Sequence, residues 1–266
     1  ASVKFFTTLG NDAEGLFARD TLQSFGVDCI GIQENSRPTT IKNSIVSLGQ
    51  RLLKIDSLDN SPISQNSIDT LKSLIADSPS MVTIFSDFRH GIFNQQSIPE
   101  LCNALPPDSF KVADSQVASR WGNILEFKKF NLITPNEKEA RFALGDQDST
   151  VRALAQKILS ESSAASLILK LGSRGMMCLG DPKNPNELFS LDSFTEELKD
   201  PVGAGDALLA YSSLVFYKTN SLFWASLIGG IAAACACEQE GNIPITPHQI
   251  LDKLKKYISL GEYKID

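Results

Sequence analysis

Short apolar runs alternate along this chain with amphipathic stretches of helical period. Val3 to Leu9 (VKFFTTL), Met81 to Ser86 (MVTIFS), Phe110 to Ala113 (FKVA), Asn131 to Thr134 (NLIT) and Ser166 to Leu171 (SLILKL) are rich in Val, Ile, Leu and Phe and bounded by turn residues. That is the pattern of strands buried on both faces. Between them the spacing predicts helices over Ala13 to Phe25, Ile68 to Ala76, Glu137 to Leu144 and Val151 to Ser160. Strand and helix in alternation predict an α/β fold, a mainly parallel sheet covered by helices on both sides. One segment departs from this pattern. Thr39 to Asp56 (TTIKNSIVSLGQRLLKID) reads as two strands joined at Gly49-Gln50, a small hairpin flap within about 37–56. The last third is helical: a Gly-Ala-Gly turn before Asp206 to Tyr217, an apolar helix from Leu222, and a helix opened by Thr246-Pro247-His248-Gln249. That tetrad pairs an N-cap threonine with a first-position proline and a glutamine three residues on, a capping box. Residues 1–266 read as one domain, without repeats or low-complexity tracts.

With 42% hydrophobic and 21% charged residues, the chain can bury one large core. A formal charge of -6 without any Lys/Arg-rich block argues against a nucleic-acid partner, whose phosphates demand neutralisation. Cys29, Cys102, Cys178, Cys235 and Cys237 show no CxxC spacing and lie far in sequence from His90 and His248, so neither a zinc site nor a redox pair is indicated. Free thiols suit a reducing cytoplasm. The opening ASVKFFTTLG shows no signal-peptide pattern. Leu222 to Cys237, the longest apolar stretch, falls short of the ~20 residues that span a bilayer and reads as a buried helix.

Three stretches carry candidate chemistry. The first is Asp200-Pro201-Val202-Gly203-Ala204-Gly205-Asp206, followed directly by a helical run. Glycines let the backbone approach a ligand closely, and consecutive amides at a helix start converge on one spot suited to phosphate charge. An aspartate one residue on can accept a proton from a hydroxyl in line with that phosphate. On these residues alone, a glycine turn with Asp206 facing the helix dipole explains the heptad equally well. The second is Pro135-Asn136-Glu137-Lys138-Glu139, after NLIT, where a parallel sheet presents its carboxyl ends. Asn136 and Glu139, three apart, are placed to orient water around magnesium, which keeps several of its waters; an acid-rich helix start is the plainer reading. The third, Lys170-Leu171-Gly172-Ser173-Arg174-Gly175, either passes close to nucleotide phosphates or simply turns between strands, and is neither a P-loop nor a Rossmann glycine motif.

In this order and spacing the three stretches resemble the ribokinase-like, or PfkB, sugar kinases, whose signature is a GAGD turn preceded by an NxxE element and a glycine turn. The resemblance implies a three-layer α/β/α fold and ATP-dependent phosphorylation of a sugar or sugar phosphate. It implies Asp206 as catalytic base and the amides of Gly203, Ala204 and Gly205 as anion hole. Asn136, Lys170, Gly172, Gly175 and Asn242 would bind the nucleotide, and Asn136 and Glu139 would support Mg2+; a monovalent cation is left open. Pro201-Val202 stands where the family usually has threonine before its turn.

A closer likeness lies in Arg37-Pro38-Thr39-Thr40-Ile41-Lys42, Gln50 to Asp56, and Ser86-Asp87-Phe88-Arg89-His90-Gly91. These look like the RPTTxK, QQLLRxD and SDYxKG stretches of the heptose-7-phosphate kinase domain of ADP-heptose synthases. The likeness implies Lys42, Asp87 and Arg89 at the acceptor, the two cations as partners of a substrate phosphate; solvated charges on a flap and a loop are the alternative. Arg89-His90 stands where that family has lysine, and its DPK stretch reads Asp114-Ser115-Gln116. The likeness begins late, at a strand that in the family follows an opening strand, an acceptor-binding aspartate and a GGxxxN segment. It therefore implies an N-terminally incomplete kinase domain and a homo-oligomer, a dimer, that covers the exposed sheet edge. A non-catalytic nucleotide-binding or regulatory protein, and kinases for ribose, fructose phosphate or a nucleoside, are the alternatives.

Overall fold

The computed structural model describes residues 1–34, 37–47, 50–116, 124–181 and 184–260. They fall into two compact units, Ala1–Ser80 with Asp87–Pro107, and Met81–Ser86 with Asp108–Asp266.

In the first unit, β1 (Val3–Thr8) and β2 (Val27–Ile32) pair in parallel across α1 (Ala13–Ser24). Asp12 caps α1 by accepting the Gly15 N–H at 2.8 Å. The same carboxylate accepts the Thr39 N–H at 2.8 Å and the Thr39 hydroxyl at 2.6 Å, tying the start of the flap to the start of the helix. The expected hairpin forms as β3 (Ile41–Ser47) and β4 (Gln50–Ser57), antiparallel, with Lys42 opposite Asp56. Gln50, expected in the turn, already belongs to β4 opposite Ser47; Leu48 and Gly49 lie outside the described residues. Two helices complete the unit, α2 (Gln65–Ala76) and the short α3 (Ser97–Asn103), which pack together. The sequence did not announce α3, because 7 residues with Pro99 in the first turn show little periodicity.

The second unit is built on a six-stranded sheet of β5 (Val82–Asp87), β6 (Phe110–Ser115), β7 (Leu132–Ile133), β8 (Ser166–Lys170), β9 (Met176–Asp181) and β10 (Asn184–Leu191), in the spatial order β10-β9-β8-β7-β6-β5. Strands β6, β7 and β8 are parallel, as a sheet crossed by helices requires; β9 and β10 add an antiparallel edge that the sequence pattern did not reveal.

The central strands are buried on both faces, with successive side chains directed to opposite sides. Val112, Leu132, Ile168 and Cys178 join one core with α6 (Ala204–Thr219), α7 (Leu222–Cys237) and α8 (Pro247–Leu260). Their neighbours Ala113, Ile133, Leu167 and Leu169 are equally buried and point the other way. There α4 (Glu137–Leu144) and α5 (Val151–Ser162) lie against β8. The α/β layering expected from sequence is the one found. Helix α7 carries no charge and is mostly buried, with Phe223 exposed near its start, and no described helix is long and apolar enough to cross a membrane. At α8 the expected capping box is present, with Gln249 accepting the Thr246 N–H at 2.8 Å and Thr246 the Gln249 N–H at 3.4 Å.

Candidate active site

Helix α6 starts in a way its neighbours do not. α1, α2, α4, α5 and α7 are each closed by a side-chain cap, whereas α6 begins at Gly203, in the left-handed region at φ 81, with no side-chain cap. The positive φ favours glycine here, and the Asn242 side chain sits directly against the place of a Gly203 β-carbon. Asp200 accepts the Val202 N–H at 3.1 Å and holds the approach to the turn. The Ala204 N–H donates to Pro201 O at 3.3 Å, a weak turn bond, and no side chain caps the remaining amides of the first turn, a helix start of the kind that receives an anion. Asp206, in that same first turn, is exposed beside this spot.

The NxxE element proves to be a capping box. Asn136 is the N-cap of α4: its side chain accepts the Glu139 N–H at 2.8 Å, and Glu139 Oε2 accepts the Asn136 N–H at 2.7 Å. One carboxylate oxygen, Oε1, lies outside the cap. Burial pushes the Glu139 carboxyl up to about 7, with Lys170 opposing and Asp114 reinforcing the rise. Asn136 bridges in parallel to Lys170 at the end of β8, where the Lys170 N–H donates to Pro135 O at 2.9 Å.

Lys170 joins the elements. Its Nζ donates to both oxygens of Asp114 at 3.0 Å, and it lies 3.4 Å from where a β-carbon on Gly205 would stand. The ammonium therefore stands between the capping box of α4 and the glycine turn of α6. Past Lys170 the chain makes a tight 3-10 turn over Gly172–Arg174, closed by the Gly175 N–H on Gly172 O at 3.0 Å. An open pocket of about 520 Å³ lined by Asn136, Lys138, Arg141, Phe142, Lys170 and Gly172 lies over this turn, within the size range of small-ligand sites. Glu137 bonds both Arg141 and Arg174 at its rim. Gly175 is instead packed against the backbone of Leu191 and Asp192. The Thr134 hydroxyl, fully buried just before Pro135, has no hydrogen-bond partner.

As a magnesium site this donor set is sparse: among the described residues no group of three His, Cys, Asp or Glu could hold a metal alone. It fits an ion that keeps its waters and takes phosphate oxygens as ligands.

Lys42, Asp87 and Arg89, expected at the acceptor, lie in the first unit. Sequence reasoning treated Asp87 and Arg89 as two separate contacts, whereas the structure makes them a buried pair. Asp87 Oδ1 accepts the Arg89 N–H at 2.7 Å and Oδ2 meets Arg89 Nε at 2.9 Å, with Arg89 at φ 61. Lys42, exposed on β3, holds its ammonium 4.6 Å from the centroid of Phe88, whose ring neighbours His90. Burial lowers the His90 pKa, and Lys42, Lys54 and Arg37 add to the effect against Asp56. Arg37 is buried and donates to the carbonyls of Asp59, Ser61 and His90, stitching together the loops around the flap. Sequence reasoning gave no role to Asp114 or Thr134; Asp114 lies next to the end of β6 and Thr134 directly follows β7, and that position was the available signal.

A parallel-centred α/β sheet whose strand ends carry an uncapped glycine turn, an adjacent aspartate and a pocket defines a ribokinase-like phosphotransferase scaffold. Residues 1–249 match the pfkB family of carbohydrate kinases, and the chain belongs to that family, a sugar kinase phosphotransferase. Curated relatives include the bifunctional protein HldE of Helicobacter hepaticus, 25% identical over 251 residues, which cover 91% of this chain and 50% of that protein. The HldE of Geobacter metallireducens is 23% identical over 271 residues, 99% of this chain and 54% of the relative. The chain thus spans about half the length of these relatives. Among solved structures, Escherichia coli phosphofructokinase-2 in complex with potassium superposes with a TM-score of 0.79 at 17% identity, covering 97% of this chain and 83% of that one. Ribokinase from Giardia lamblia gives 0.76 at 17% identity, with 96% and 82% covered.

Proposed function

We propose that this chain transfers the γ-phosphoryl group of ATP to a hydroxyl of a sugar phosphate of the heptose 7-phosphate type. The observation that carries this reading is the start of α6, where a first turn without a side-chain cap carries Asp206 and Lys170 Nζ, itself a wall of the pocket, comes within 3.4 Å of the place of a Gly205 β-carbon. Asp206 takes the proton of the acceptor hydroxyl as its oxygen bonds to the γ-phosphorus and the bond to the β–γ bridging oxygen breaks, releasing ADP. The amides of Gly203, Ala204 and Gly205 hold the charge on the group in transit. Asn136, Gly172 and Asn242 line the nucleotide's place. Glu139, whose Oε1 lies outside the capping box, would help hold Mg2+, which would supply neutralisation of the phosphate charge. Lys42 offers a cation to an acceptor phosphate, and the Asp87–Arg89 pair shapes the loop beside it. Likeness to the HldE proteins supports the heptose phosphate acceptor. A second acceptor, fructose phosphate, is favoured by the fold shared with phosphofructokinase-2 bound to fructose-6-phosphate. All five cysteines are free, in keeping with a reducing cytoplasmic setting, and the apolar side chains exposed on the first unit support a homodimer.

Phosphorus NMR of the protein with Mg-ATP and D-glycero-D-manno-heptose 7-phosphate, beside its Asp206→Asn variant, tests the reading. A new anomeric phosphate signal that vanishes in the variant supports it. Bound ATP without that signal, for this acceptor and for fructose 6-phosphate alike, would replace it with a nucleotide-binding protein lacking catalysis.

A further inference from the structure

We propose that Lys170 is a catalytic residue that neutralises the phosphoryl group in flight, and that Asp114 is the positioning residue that holds its ammonium in place beforehand. The inference rests on the kinase reading above and deepens it. Three observations carry it. Lys170 is at once a wall of the pocket and a neighbour of the glycine turn, 3.4 Å from the place of a Gly205 β-carbon. A phosphate chain that starts in the pocket and ends on the α6 amides must therefore pass its Nζ. The side chain is also largely buried, 16% exposed, and Asp114 is 12% exposed, so the pair sits where charge is poorly screened. Finally, Asp114 grips the ammonium through both oxygens at 3.0 Å, which fixes a long, flexible chain before any ligand arrives.

The arrangement suits a charge that is needed in transit more than at rest. Asp114 balances the ammonium when the site is empty of anion. As the γ-phosphorus leaves the bridging oxygen and bonds to the acceptor oxygen, negative charge on the transferred oxygens becomes the closer partner of Nζ. The proton still goes to Asp206 and the leaving group is still ADP; Lys170 exchanges no proton or electron. A contact that strengthens only at that stage raises turnover without tightening ground-state binding.

The test compares calorimetric affinity for Mg-ADP with affinity for Mg-ADP plus aluminium fluoride, a mimic of the group in flight, with saturating D-glycero-D-manno-heptose 7-phosphate in both cases. For the unaltered protein the fluoride is expected to tighten binding at least about 10-fold. Lys170→Met should lose that gain and about 10²-fold in kcat, the scale of one lost oxyanion donor, with Mg-ADP affinity alone within a few-fold. Lys170→Arg should recover part of the gain. Because Lys170→Met leaves Asp114 buried and unpaired, Lys170→Met/Asp114→Asn removes both charges and should show the same loss in a stably folded protein. If either variant keeps the gain, or loses Mg-ADP affinity to the same extent, Lys170 is not acting on the group in flight and the proposal is overturned while the kinase reading stands. An unaltered protein that shows no fluoride gain overturns the kinase reading itself, and this inference with it.

Discussion

A carboxylate in the first turn of a helix sits at the positive end of the dipole, next to donors that receive an anion, and Asp206 occupies that place in α6. As the proposed general base, its contribution belongs to the transition state. Asp206→Asn is expected to cut kcat by about 10²–10⁴-fold, the range of general-base catalysis, while Mg-ATP affinity measured by calorimetry stays nearly intact. Unaltered turnover would remove Asp206 from the mechanism. Glu139 is a different kind of acid, buried and pushed up to about 7 from its ordinary 4.5. Folding therefore favours its protonated form, so the stability it contributes is full below about pH 4.5 and is lost as pH rises through about 7. Glu139→Gln keeps an oxygen to accept the Asn136 N–H and removes the buried charge. In metal-free buffer it should raise the melting temperature near pH 8 and leave it almost unchanged near pH 5. An equal effect at both values would show that the carboxyl is not titrating as burial implies.

The elements owe their precision to a few backbone positions. Gly172 and Gly175 both have positive φ, 63 and 79, yet their surroundings differ: open space around Gly172, and Leu191 O within 2.0 Å of a β-carbon at Gly175. Gly175→Ala should therefore cost more than about 2 kcal/mol in urea unfolding, since the antiparallel β8–β9 turn must shift. Gly172→Ala should cost only about 1 kcal/mol, the strain of a left-handed residue, and show its effect on nucleotide affinity instead. Equal costs would contradict the packing of the turn against the end of β10. These two glycines read identically in sequence. The NxxE element was more legible, because asparagine followed three residues later by glutamate is a capping signature in its own right. The magnesium role inferred for it starts from two side chains that each already accept the other residue's backbone N–H, which leaves one carboxylate oxygen outside the cap.

At the scale of the whole molecule, both units expose apolar side chains, and the first unit holds the most exposed of them. Leu16 and Phe17 on α1 are 62% and 72% exposed, and Leu52 and Leu53 on β4 are 64% and 51% exposed. β1 and β2 also form a two-stranded sheet of their own, a short sheet with little of its apolar surface covered. A second copy of this chain, presenting the same surface, is the occupant proposed. Light scattering should then give a mass near twice the 29.0 kDa of the chain. A monomer at high concentration would remove the dimer.

The sequence by itself determined the layered α/β class, because continuous apolar runs between amphipathic stretches have few other ways to be buried. It also located the glycine turn, its aspartate and the NxxE element, since backbone freedom, anion binding and helix capping are local properties tied to residue type. Only the tertiary structure decided what those pieces do to one another. The ion pair of Lys170 with Asp114 joins residues 56 apart in sequence, made neighbours by parallel strands whose ends meet. The collapse of Asp87 and Arg89 into one buried pair depends on a left-handed backbone turn that no periodicity encodes. The antiparallel edge β9–β10 escaped for the same reason: strand direction is fixed by hydrogen-bond partners in space, and a pattern of apolar positions carries no direction.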